Sequence, residues 1–176
     1  MHVERRPDTE FIEVQQFRQP WIWILLLAIT LGITVMYVHG LYTQLYLGYP
    51  WGDRPMSDTA LIMSATLSLA LTGGIALLFY KLRLITTVDR EGVLIRFYPF
   101  TRKHIAFDNI NACEARTYRP IKEYGGWGIR FSRKGRAYNV SGNRGVQLQL
   151  TEGRPVLIGS QNAERLAEVI NRHIQS

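Results

Sequence analysis

Two long stretches of this chain carry no charged side chain, and that limits its fold more than any other feature. Trp21 to Val38 reads WIWILLLAITLGITVMYV, inside a charge-free stretch that runs from Gln19 to Gly52. Thr59 to Tyr80, TALIMSATLSLALTGGIALLFY, is the second. About 20 apolar helical residues cross a bilayer core. Neither run keeps a polar stripe for water, as a helix packed on a soluble core would. The sequence between them, LGYPWGDRPMSD, is rich in Gly, Pro and Asp and reads as a tight turn. A two-span hairpin is therefore expected over 20–80, with spans at about 21–46 and 59–80. The first run begins too far from Met1 and is too long for a cleaved signal peptide, and no small-residue cleavage site follows it.

Aromatic residues flank the runs. Trp21 and Trp23 at one end, with Tyr46 and Trp51 (beside Tyr42 and Tyr49) at the other, are expected as interfacial anchors. Arg5, Arg6 and Arg18 precede the first span, and Lys81 and Arg83 follow the second. The connecting loop has only Arg54, offset by Asp53 and Asp58. By the positive-inside tendency, both termini are expected on the cytoplasmic side of an inner membrane.

The second run places Ala60, Ser64, Ser68, Thr72 and Ala76 four residues apart, on one helical face. Small faces let helices approach closely in lipid, either within the hairpin or against another membrane protein. His39 lies near the far end of the first run. An ionisable residue in a span invites a ligand role, for haem or a pigment, and a hydrogen-bonded structural histidine is the simpler reading.

Charge divides the chain as hydropathy does. Of its 21 Lys and Arg, 17 lie from Lys81 onward, against 8 of its 14 acidic residues. Such asymmetry points to a membrane surface, a nucleic acid or an acidic partner. With Cys113 as the only cysteine, no internal disulfide can form. From Leu82 the pattern changes to short alternating runs. Strands are expected at Leu84–Val88, Val93–Tyr98, Arg102–Phe107, Ala112–Tyr118, Trp127–Phe131, Ala137–Val140, Val146–Thr151 and Val156–Gly159. A helix closes the chain, with Leu166, Val169, Ile170 and Ile174 on its apolar face and Ser160 or Asn162 as cap. Antiparallel strands closed by one amphipathic helix make a pleckstrin-homology-like (PH-like) plan, in which the helix covers sheet edges.

Two stretches carry a resemblance. One is Glu13-Val14-Gln15-Gln16-Phe17-Arg18-Gln19-Pro20-Trp21-Ile22-Trp23. The other is Arg119-Pro120-Ile121-Lys122-Glu123-Tyr124-Gly125-Gly126-Trp127-Gly128-Ile129-Arg130, continued by Ala137-Tyr138-Asn139-Val140-Ser141-Gly142-Asn143-Arg144-Gly145-Val146. In these the chain resembles an uncharacterised family of archaeal and bacterial membrane proteins with a two-span hairpin before a PH-like domain. The resemblance implies an α+β membrane protein: a cytoplasmic tail over 1–19, a transmembrane hairpin over 20–80, and a cytoplasmic antiparallel β-barrel or sandwich capped by one helix over 81–176. It implies no activity and no catalytic residues.

Chemistry is sparse. Gly125-Gly126-Trp127-Gly128 lacks the spacing of a phosphate loop and reads as a turn or bulge. His104 and His173 lack metal-ligand spacing with Cys, Asp or Glu. No nucleophile elbow or carboxylate pair stands out. No catalytic residue, metal or cofactor is expected, and nucleic acid is not an expected partner. The basic residues Lys81, Arg83, Arg102, Lys103, Arg133, Lys134 and Arg136 are candidates for anion or lipid contact, if they share a face. The leading expectation is a non-catalytic accessory or scaffold subunit. Its hairpin would dock other integral membrane proteins through the small-residue face. The alternatives are an anionic-lipid-binding module and a pigment- or haem-binding protein using His39.

Overall fold

The computed structural model describes residues 8–175; Arg5 and Arg6, expected as flanking charges, lie outside them. The fold is α+β, with two sheets and four α-helices. It divides into two compact units: a helical one, 18–80, and one built from the described residues on either side of it.

The helical unit holds α1 (Pro20–Leu41), continued by a π-helical turn at Tyr42–Tyr46, and α2 (Asp58–Lys81). Pro20 occupies the first turn of α1, where its missing N–H costs no hydrogen bond. Counted through the π turn, the two segments are Pro20–Tyr46 and Asp58–Lys81, both long and apolar enough to cross a membrane. At about 1.5 Å per residue, each exceeds the roughly 30 Å of a bilayer core. Several of their hydroxyls bond their own backbone. Thr30 and Thr34 donate to the carbonyls of Leu26 and Thr30 at 2.8 Å, and Thr66 and Thr72 do the same to Ile62 (2.9 Å) and Ser68 (3.0 Å). Large apolar side chains such as Leu27, Leu31, Val35, Met63, Leu67 and Leu71 are exposed. The connecting loop folds back on α1. Gln44 donates to the Met56 carbonyl (2.8 Å) and the Asp58 carboxylate (2.7 Å). The Trp51 ring lies so close to Gly40 that a Cβ there would meet it at 2.8 Å.

The second unit contains nine strands. β1 (Phe11–Gln16), β2 (Arg83–Val88), β3 (Gly92–Tyr98) and β4 (Thr101–Ala106) form one antiparallel sheet in that order. β5 (Ile110–Thr117), β6 (Gly128–Ser132), β7 (Gly135–Asn139), β8 (Arg144–Leu150) and β9 (Val156–Gly159) form the other, ordered β5-β8-β9-β7-β6. A short helix α3 (Pro120–Tyr124) precedes β6, and α4 (Ala163–Ile174) packs on β5 and β8. Leu84, Val88, Val93, Ile95 and Ile105 fill the core of the first sheet; Val146, Leu148, Leu157 and Ile158 fill that of the second, with Leu166 and Ile170 from α4.

All eight strands expected from the sequence form, with ends shifted by at most two residues, since alternation locates a strand better than its ends. Three features differ from expectation. The tail expected over 1–19 contains a strand, β1, paired with β2 from Phe11↔Val88 to Gln16↔Arg83. The second sheet is not wholly antiparallel, because β9 inserts between β8 and β7 and runs parallel to β7. Asn162 precedes α4 without a side-chain cap bond. Ser160 is occupied instead, its Oγ accepting the Asn162 N–H (3.0 Å) and donating to Glu13 of β1 (2.5 Å).

Candidate functional site

Alternation along β4 sorts its charges. Thr101, Lys103 and Ile105 turn toward the inside of the domain, while Arg102, His104 and Ala106 are exposed on the opposite face. Lys103 thereby parts from Arg102 and lines a cavity of about 350 Å³, with Asn109, Phe131, Gly135, Arg136, Leu150 and the 152–154 turn.

The other walls are set by the β7–β9 pairing. Arg136 faces Val156 in parallel register, and its backbone N–H donates to the Pro155 carbonyl at 2.9 Å. That approach requires glycine at 135, whose φ is +116° and whose Cβ would meet the same carbonyl oxygen at 2.1 Å. The turn carrying Glu152 and Arg154 is stapled by Asn109: its carbonyl accepts the Thr151 N–H (3.0 Å) and its Oδ1 the Glu152 N–H (2.8 Å). The Arg136 guanidinium lies 4.6 Å from the centroid of the exposed Phe131 ring and donates to the Tyr138 hydroxyl at 3.2 Å.

Three cations thus line one cavity from three chain segments. Among the described residues Lys103, Arg136 and Arg154 form no salt bridge. Burial, and then the facing charge of Arg136, pull the Lys103 ammonium below its usual pKa. Among the described residues no carboxylate pairs with Lys103 to offset this repulsion. An anion in the cavity would relieve it.

The remaining basic candidates go elsewhere. Arg133 sits exposed in the β6–β7 turn. Lys134 donates to Glu123 at 3.2 Å, joining a network in which Arg116 donates to Glu123 (3.1 Å) and Gln147 (3.0 Å), and the Arg119 N–H to Glu123 (2.7 Å). Burial alone would raise the Glu123 pKa; the backbone bond from Arg119 and the bonds from Arg116 and Lys134 outweigh it and hold the carboxyl down to about 2. Lys81 ends α2 and Arg83 begins β2, and neither lines the cavity. Arg154 was missed from the sequence because it stands alone in a polar turn, far along the chain from Lys103. A cation at the mouth of a hairpin turn was the only available signal.

The small residues Ala60, Ser64, Ser68, Thr72 and Ala76 are all half-buried, and Ser68 shares a 3.2 Å hydrogen bond with Tyr37 of α1. Of the five, Ser68 is the one this bond ties to α1. Trp21 and Tyr46 are exposed, whereas Trp23 and Trp51 are half-buried. His39 is exposed on α1. His104, which has no ligand spacing in sequence, is brought by strand pairing beside Asp89 and Glu91, with potential ligand atoms of all three within 4.8 Å of one another. Asp89 Oδ1 there already accepts the N–H groups of Glu91 (3.0 Å) and Gly92 (3.2 Å), closing the β2–β3 turn.

Burial pushes the half-buried Cys113 thiol up to about 12. Thiolate is the reactive form. Cys113 in the folded chain is therefore expected to react with a maleimide at neutral pH far more slowly than in denaturant, as measured by mass shift against time.

A family model described as "Family of unknown function (DUF6141)" matches residues 4–176. No curated protein matches the chain.

Proposed function

The chain belongs to that family of unknown function, and from this premise we propose that it is a membrane-anchored, non-catalytic binding module that holds anionic head groups through its β domain. The observation that carries the reading is that Lys103, Arg136 and Arg154 line one cavity and, among the described residues, form no ion pair. Basic residues near an anionic leaflet contribute about 1 kcal/mol each.

Anchoring through α1 and α2 is supported by their length, by side chains apolar all round, and by hydroxyls that bond their own backbone. Pairing of β1 with β2 favours both ends of the hairpin on one side of the membrane, because those strands abut the two helices in sequence. The excess of Lys and Arg from residue 81 onward favours the cytoplasmic side of a prokaryotic inner membrane. Two sheets with a closing helix are compatible with a PH-like plan, from which the parallel β7–β9 pair departs.

A second reading, an accessory subunit of a larger membrane complex, is favoured by Phe100, Ile121 and Phe131, large apolar side chains exposed on the β domain. Such a partner would meet the exposed apolar faces of the helices, since Ser68 of the small-residue face is already bonded to Tyr37 within the hairpin. Purification of the full chain in mild detergent, with mass spectrometry of what accompanies it, separates the two. Co-purified anionic lipid, lost when Lys103, Arg136 and Arg154 are together changed to Gln, is the expected result. A stoichiometric set of larger membrane proteins, retained by the triple variant, would transfer the assignment to the accessory subunit.

A further inference from the structure

We propose that the Lys103–Arg136–Arg154 cavity is selective for a terminal phosphate monoester over a phosphodiester. This rests on the anion-binding reading above and adds the chemical class of the ligand. Three cations and the Glu152 carboxylate line the cavity, a net charge of +2. A phosphate monoester carries close to two negative charges at pH 7 and offers three terminal oxygens, whereas a diester carries one charge and two free oxygens. The three cations come from β4, from β7 and from the turn before β9, so each of three segments offers the cavity one donor group for a phosphate oxygen. The Asn109 side chain adds an amide Nδ2 with no partner among the described residues, its Oδ1 being held by the Glu152 N–H. Because the lining keeps a net positive charge even with Glu152, a dianion gains more from it than a monoanion does.

The cavity is also built to hold its shape. Gly135 and Pro155 fix the backbone between Arg136 and Arg154, and Asn109 ties down the turn. Phe131 supports the Arg136 guanidinium and the Tyr138 hydroxyl holds its Nη1, leaving its other N–H groups to donate. Its volume, about 350 Å³, lies at the lower end of small-ligand sites. A phosphate group fits that scale, with the rest of a lipid or metabolite left outside.

The test uses the full chain in a neutral detergent at fixed ionic strength, titrated by calorimetry. The probes are dihexanoyl phosphatidic acid (monoester), dihexanoyl phosphatidylglycerol (diester) and inorganic phosphate. The monoester lipid is expected to bind about tenfold or more tightly than the diester, the equivalent of one extra charge-assisted contact. Arg154→Gln and Lys103→Gln should each bring the monoester down to the level of the diester. Inorganic phosphate binding as tightly as the monoester lipid would support the proposal with a soluble source; much weaker binding would support it with a lipid source. Equal affinity for the two lipids, or a monoester preference that survives both variants, overturns the selectivity while leaving general anion binding intact. If none of the probes binds, the anion-binding reading itself falls. Circular dichroism of the variants confirms that they fold.

Discussion

Deleting Phe11–Gln16 from the full chain is expected to unfold the β domain, although the segment precedes both apolar helices and has no obvious tie to a domain that begins after residue 80. β1 is bonded to β2 along six register pairs. Its edge is backed by Phe11 and by Phe17 just beyond it, both nearly inaccessible, with the Phe17 ring edge-on to Phe97 at 6.4 Å. Polar bonds then reach the second sheet. Gln15 donates to the Gly159 carbonyl at 2.7 Å, and Glu13 accepts from the Ser160 hydroxyl (2.5 Å) and the Gln161 N–H (2.8 Å). Losing one buried Phe side chain alone costs about 3–5 kcal/mol, a large part of a small domain's stability. Hydrogen exchange on the deleted chain in detergent should show β2, β3 and β9 unprotected while α1 and α2 stay protected. Native-like protection of β9 would mean that β1 is dispensable. The single change Glu13→Ala should cost about 2 kcal/mol, in line with two or three bonds to a charged acceptor.

The second large effect lies at Glu123. Glu123→Gln keeps the shape and removes the charge that joins Arg116, Lys134 and the Arg119 N–H. Arg116 keeps only neutral partners, Gln147 and Tyr124. The expected loss is about 2–3 kcal/mol at pH 7, typical of bonds to charged groups. The sign of its pH dependence follows from the direction of the shift. The folded carboxyl titrates near 2, below its ordinary value of 4.5. Its contribution is therefore complete above about pH 4.5 and disappears as pH falls toward 2. Acid unfolding of the two proteins, followed by near-ultraviolet dichroism, should give curves far apart at pH 7 that converge near pH 2. A gap independent of pH would mean that Glu123 acts through shape alone.

The two stretches that carry the family resemblance are mostly packing chemistry. In the first, Glu13, Gln15 and Phe17 bind β1 to the domain. In the second, Glu123 and Tyr124 enter the Arg116 network, and Gly125 ends α3 in the left-handed conformation (φ +74°). Trp127 Nε1 donates to the Gly142 carbonyl (2.9 Å), and Asn139 links the Gly128 N–H to the Tyr118 hydroxyl, both at 2.9 Å. The glycines that invited a phosphate-loop reading thus serve a turn.

The strands after residue 82 were legible because Val146, Leu148 and their like alternate with polar residues over several positions. β1 was not, since FIEVQQ alternates only weakly and lies beside Arg18 and a long apolar run that dominates the local reading. The cavity was half legible. Lys103 and Arg136 stood out as members of charge clusters, but those clusters are scattered by the folding that creates the site. Adjacent residues on a strand face opposite ways, so Arg102 leaves Lys103; a two-residue turn sends Lys134 to Glu123 and Arg136 inward. A shared face for the clusters was the condition for anion contact, whereas the cavity joins Lys103 to Arg136 and to Arg154, 33 and 51 positions later in the numbering.

The β1–β2 pairing also bears on how such a chain is made. The whole helical hairpin is an insertion between two adjacent strands of one sheet. During synthesis β1 emerges first and must wait, unpaired, until both helices have been produced and β2 follows. Should a nascent chain thread only one helix through a bilayer, β1 and β2 would be stranded on opposite faces and the sheet could not close. If both helices span a bilayer as proposed, completion of the β domain would report that insertion succeeded, and a mis-threaded chain would expose Phe11, Phe17 and a bare strand edge to the proteases and chaperones that clear such failures.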